Sequence, residues 1–211
     1  MASAAATASS ATIVVAPSTS YARFAGLAAI LAGLVGFLYS VAFVVLKNNT
    51  LSALFLLIVG LLTTAVVVAL YERLKIIDGS FALWALLLGL AGAIGSVVHG
   101  GYDLANALHP PTQGFPDIPN VADPRGLLTF GIAGLSLWVV AWLMRRGTEF
   151  PKYLGYVGYL GAALLILLYL ARLIVLDANS LAIVIPALLA GFIVNPVFYV
   201  WTGLKLWSTG K

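Results

Sequence analysis

The chain has 211 residues, 62% of them hydrophobic and only 9% charged, with a mean hydropathy of +1.07. Soluble domains carry about 25% charged residues, so this composition cannot cover a water-facing surface, and lipid must solvate most of it. The lack of Cys excludes disulfides, thiolate nucleophiles and Cys-ligated metals, and the net charge of +4 resides in short basic loops rather than in a nucleic-acid-binding surface.

Residues 1–22 read as a low-complexity Ala/Ser/Thr tail, interrupted by Ile13-Val14-Val15 and Pro17. No basic region precedes an apolar run of about 7–15 residues, so a cleaved signal peptide is not expected. A helix needs about 20 mostly apolar residues to cross the hydrocarbon core. On that rule the spans are 24–46, 51–71, 80–98, 126–144, 153–176 and 181–204. Polar turns separate them: Lys47-Asn48-Asn49-Thr50, Glu72-Arg73-Leu74-Lys75 with Asp78-Gly79, Arg145-Arg146-Gly147, and Asp177-Ala178-Asn179-Ser180. The expected fold is all-α, a polytopic six-span transmembrane bundle. Segments of about 10 residues with alternating polarity, the mark of a membrane β-barrel, are not seen.

Orientation follows from the distribution of Lys and Arg. One side collects Arg23, Arg73, Lys75, Arg145, Arg146, Lys152, Lys205 and Lys211; the other has Lys47, Arg125 and Arg172. The richer side should be cytoplasmic, which places both chain ends there. Small residues recur at helical spacing in Ala29 with Gly33, Ala32 with Gly36, Gly92 with Ser96, and Gly155-Gly158-Gly161. Such faces allow close helix packing within a bundle, or a homo-oligomer or membrane-complex interface. No self-similarity relates the first three spans to the last three, as an inverted-repeat transporter would require.

Candidate chemistry gathers at the outer end. If the third span continues as a helix through Gly100-Gly101, then Ser96, His99, Asp103 and Asn106 share one face, with Tyr102 beside them. Arg172 lies about 7 Å of helix rise before Asp177 at the same membrane boundary. Two readings stand. In one, Arg172 pairs with Asp103 or Asp177, and the cluster pins the third span to the fifth. In the other, an outward cavity binds a small polar or anionic ligand or a lipid, with Arg172 as its anchor and His99, Tyr102, Asp103 and Asn106 around it.

A proline-rich outer loop, 107–125, reads either as a lid over that mouth or as a rigid cap. In the sixth span Pro186 and Asn195-Pro196 predict a kink, with the Asn195 amide serving freed backbone. No metal site is expected, because His99 and Asp103 need a third ligand and His109 precedes two prolines. No cofactor is expected either, and no serine-hydrolase elbow, phosphate loop or zinc-protease motif occurs.

Three stretches carry a resemblance: Tyr71-Glu72-Arg73-Leu74-Lys75, Phe150-Pro151-Lys152-Tyr153-Leu154-Gly155, and Asn195-Pro196 followed by Trp201-Thr202-Gly203-Leu204-Lys205-Leu206-Trp207. Their order resembles small six-span bacterial membrane proteins classed as domains of unknown function. The resemblance implies a bacterial inner membrane and a helical fold, and no activity. Three functions are therefore weighed: a ligand- or lipid-binding membrane protein, an accessory subunit of a larger complex, and a small transporter.

Overall fold

The structure, a computed structural model, describes residues 19–110, 125–177 and 179–209. Six helices are long and apolar enough to cross a membrane: α1 (Thr19–Val45), α2 (Asn49–Leu74), α3 (Gly79–Leu108), α4 (Leu127–Arg146), α5 (Lys152–Val175) and α6 (Leu181–Ser208). No strand occurs among the described residues. The spans read from hydropathy are all present, with bounds that differ by up to ten residues, the most at the end of α3.

Helix starts are set by side chains that take up backbone N–H groups otherwise left without partners. Asn48 caps α2 through the Leu51 N–H at 2.9 Å, Asp78 caps α3 through Phe81 at 3.2 Å, and Ser180 caps α6 through Ala182 at 3.4 Å. Gly147 ends α4, and Leu176 ends α5 in the left-handed conformation at φ 57°.

Each helix packs on its chain neighbour, and α6 closes the ring against α1. Both Thr19 and Ser208 lie at one end, here termed the base; the turns α1–α2, α3–α4 and α5–α6 form the opposite end, the mouth. The buried positions are dominated by Ala and other small residues, such as Ala25, Ala29, Ala32, Ala85 and Ala162, whereas Leu34, Leu61, Leu87, Leu160 and Leu167 face outward. That distribution suits a bundle solvated by hydrocarbon, where close backbone contact replaces hydrophobic exclusion as the cohesive force.

The backbones of α1 and α6 come close at Gly26 and Gly203. A Cβ on Gly203 would lie 2.6 Å from the Gly26 carbonyl oxygen, so only glycine lets α1 and α6 meet there. The other small-residue faces also turn inward: Gly33 sits on Pro196 and Val200, Gly92 on Ala133, and Gly158 on Ala141.

Two boundaries differ from the sequence reading. Residues 19–22 belong to α1 rather than to a tail, because Ala22 is buried and the Tyr21 hydroxyl donates to Ala65 O at 3.2 Å. Residues 107–108 belong to α3 rather than to the loop. The rest of the tail, 1–18, and most of the proline-rich loop, 111–124, lie outside the described residues.

Three stretches depart from α geometry into π-helix: Val41–Val45 at the end of α1, Leu127–Ile132 at the start of α4, and Ala190–Val194 within α6. The last has a visible cause. Pro196 has no N–H to donate, and the ladder before it widens so that Asn195 N–H reaches Ala190 O, five residues back. Expected as a kink, the Asn-Pro pair is accommodated by a change of helical register.

Candidate functional site

Helix α3 does run through Gly100-Gly101 and carries His99 and Asp103 one turn apart on one face. His99 Nε2 lies 3.4 Å from Asp103 Oδ2, and His99 Nδ1 lies 3.2 Å from the Thr129 hydroxyl on α4. Asp103 Oδ1 accepts from the Arg125 guanidinium at 3.0 Å, and that guanidinium also lies over the Tyr102 ring, 4.5 Å from its centroid. The result is a clamp that ties His99 and Asp103 on α3 to Thr129 and Arg125 at the start of α4. Asn106 sits one turn further on, half-buried.

Arg172 is not part of this clamp. Among the described residues it forms no ion pair with Asp103 or Asp177, contrary to the expected pinning of α3 to α5. The reason is position: Arg125 enters α4 directly beside Asp103 and takes its carboxylate first. Asp177 instead turns to its own backbone, accepting the Asn179 N–H at 3.0 Å. The sequence reading thus brings together His99, Tyr102 and Asp103, and leaves Arg172 elsewhere.

That elsewhere is a cavity of about 500 Å³ along the axis of the bundle. It falls within the range of about 300–1,000 Å³ typical of sites that engulf a drug-sized ligand. Its walls come from all six helices and are largely apolar, including Val59, Val66, Leu137, Leu165, Ile183 and Phe198. All three π segments contribute, through Phe43 and Val44, Thr129 and Phe130, and Ala190 and Gly191. Register breaks of this kind frequently mark functional positions, because they re-aim side chains and loosen the backbone ladder.

Two cations, Lys47 and Arg172, line the mouth of this cavity. Both are exposed, and neither has an acidic partner among the described residues. The base shows the contrast. There Arg73 pairs with Glu149 at 2.6 Å, Lys75 with Glu72 at 2.5 Å, and Arg145 and Arg146 cover the rings of Tyr156 and Trp142. The Glu72 carboxylate also holds the Lys75 ammonium above the usual lysine range, chiefly through their hydrogen bond.

Lys47 has a second distinguishing feature: at φ 49° it is left-handed, a conformation that disfavours residues with a Cβ. The strain is of the order of 1–2 kcal/mol, offset in part by the greater chain entropy of any glycine placed there. Lys47→Gly is therefore expected to raise stability in detergent by about 0.5–1 kcal/mol, read from denaturant unfolding, while removing one mouth cation.

The mouth is also open on one side. Contact between α1 and α6 extends up to Phe37 on Phe192, with centroids 5.7 Å apart, and Ser40 beside Gly191. Beyond that level Val41–Val45, the end of α1, packs on α2, and it shares at most marginal contact with Leu181–Leu189 of α6. Both segments line the cavity, so among the described residues contact between them does not close its upper part.

No known family, curated protein or solved structure matches this chain. The chemistry of the site therefore has to come from its own geometry. Among the described residues no group of three or more His, Asp and Glu side chains is placed to hold a metal ion. The uncharged polar groups on the wall are hydroxyls and amides: Tyr39, Ser40, Thr63, Ser96, Thr129, Ser136, Asn179, Asn195 and Tyr199. Of these, sequence reasoning singled out Ser96 and Asn195; Lys47, Thr63 and Tyr199 were missed. Lys47 was legible as a turn residue and an outer-side cation but not as part of a site, and Thr63 and Tyr199 lie in apolar spans 136 positions apart.

Proposed function

We propose that this is a bacterial plasma-membrane protein that binds a single-chain anionic amphiphile, its acid group at Lys47 and Arg172 and its chain in the central cavity. Both chain ends lie in the cytoplasm in this reading, supported by the eight-to-three division of Lys and Arg between the two ends of the bundle. The mouth then faces outward. The His99, Asp103 and Arg125 clamp holds α3 to α4 and shapes one wall through Thr129.

The observation that carries the reading is a pair of cations, without acidic partners among the described residues, on the rim of an apolar cavity of about 500 Å³. A charge at membrane depth is costly unless it meets water or a counter-charge. An anion seated between Lys47 and Arg172 supplies that counter-charge, and an apolar tail fills walls that water wets poorly.

Dodecanoate tests this directly. Protein purified in an uncharged detergent is expected to melt several degrees higher with saturating dodecanoate, by the mass action of a ligand that binds only the folded state. Dodecanol should shift it less. Binding of the acid group at the surface alone would survive Ala187→Phe, which fills part of the cavity, whereas binding in the cavity would not. A melting temperature indifferent to dodecanoate, or a shift retained in full by Ala187→Phe, sinks the proposal.

A further inference from the structure

The cavity has a second polar point far below its mouth. Asn195 lines it, and the Asn195 amide has no hydrogen-bond partner among the described residues. The sequence predicts that this amide serves the backbone freed by Pro196; it does not. Its oxygen instead faces α5, 3.6 Å from where a Cβ on Gly161 would be. Gly161 and Arg172 are 11 residues apart on one helix, about 16 Å of rise. One turn beyond Asn195, the Tyr199 and Thr63 hydroxyls meet across the cavity at 3.5 Å, a long contact.

The Asn195 side chain is half-buried on the cavity wall, and a polar group that faces an apolar space without a partner costs on the order of 1–3 kcal/mol. The π register sets Pro196 against the Gly191 carbonyl, to which it has no N–H to offer. Both residues line the same cavity. A donor and acceptor set of this kind, along one wall of the cavity, is suited to a hydroxyl or carbonyl rather than to a methyl end.

We infer that the ligand is polar at both ends: an anionic amphiphile whose far end, about 16 Å from the acid group, carries a hydroxyl or carbonyl received by Asn195 and Tyr199. This rests on the cavity reading above and narrows it from any acidic chain to an ω-oxygenated one. Asn195 has the geometry to donate and accept at once, and Tyr199 can turn its hydroxyl from Thr63 to the ligand without losing a short bond.

The test compares 12-hydroxydodecanoate with dodecanoate, whose extended chain spans about the same length as the distance between the two polar points. Dissociation constants are measured by calorimetry on the full chain in uncharged detergent. The readout is the ratio of the two constants within each protein, which cancels general effects of a substitution on the fold. In Asn195→Leu that ratio should move about tenfold against the hydroxylated probe, and in Tyr199→Phe about threefold, as expected for one lost neutral hydrogen bond plus a stranded hydroxyl. Plain dodecanoate should bind Asn195→Leu at least as tightly as the wild type. If both probes bind but the ratio is the same in the wild type and both variants, the inference is wrong and the cavity reading stands. If neither probe binds the wild type, the cavity reading falls and takes this inference with it.

Discussion

Alanine at Gly100 should lower the unfolding free energy by about 2–3 kcal/mol, whereas alanine at Gly101 should raise it by up to about 1 kcal/mol. The two glycines are adjacent in one helix, so intrinsic propensity favours alanine equally at both. Packing decides the sign. A Cβ on Gly100 would lie 2.5 Å from Leu57 N and 2.7 Å from Ala53 O, both backbone atoms of α2 that cannot rotate away. The nearest atom to a Cβ on Gly101 is the end of the Leu57 side chain at 3.7 Å, an ordinary contact. Unfolding in mixed micelles with a denaturing detergent measures both. A Gly100 variant as stable as the wild type would mean that α2 and α3 are not held together as described.

Arg172→Gln is expected to weaken dodecanoate binding by roughly 10- to 100-fold, the worth of one charge-assisted contact of about 1.5–3 kcal/mol. Because Arg172 has no acidic partner among the described residues, its removal strands no buried carboxylate, and the melting temperature without ligand should hardly move. Asp103→Asn is the matched control. It disturbs the Arg125 and His99 contacts of the clamp, at 3.0 and 3.4 Å, but removes nothing from the cavity rim. The affinity for dodecanoate should therefore stay within about twofold while stability falls; for a carboxylate side chain 40% exposed, solvent limits that loss to roughly 1 kcal/mol. Equal loss of affinity in both variants would show that the clamp and the mouth act as one unit.

The six spans were legible because hydrocarbon imposes a length and a composition that few other structures satisfy. The shared face of His99 and Asp103 was legible for a similar reason: helical periodicity survives two glycines when the segment is packed on α2. The partner of Asp103 was not. Both Arg125 and Arg172 fall at the mouth by hydropathy, and only the ring order of the helices, with α4 between α3 and α5, decides which guanidinium arrives. The cavity was less legible still. An empty volume is a failure of side chains from six helices to meet, and no local pattern records it. The Asn195-Pro196 pair was visible as a local irregularity, yet its alternatives, a bend or a change of register, differ by where the neighbouring helices stand.

The gap between the upper parts of α1 and α6 has a consequence for how occupancy is set. A molecule that reaches the cavity sideways arrives from the leaflet in which it is already dissolved, so its mole fraction there, and not its aqueous concentration, governs saturation. Chain length then favours enrichment in the bilayer while leaving the partition between leaflet and pocket nearly unchanged. Affinities measured in detergent will accordingly drift with micelle concentration, and reconstitution at fixed lipid ratio is the condition under which constants for different chains become comparable.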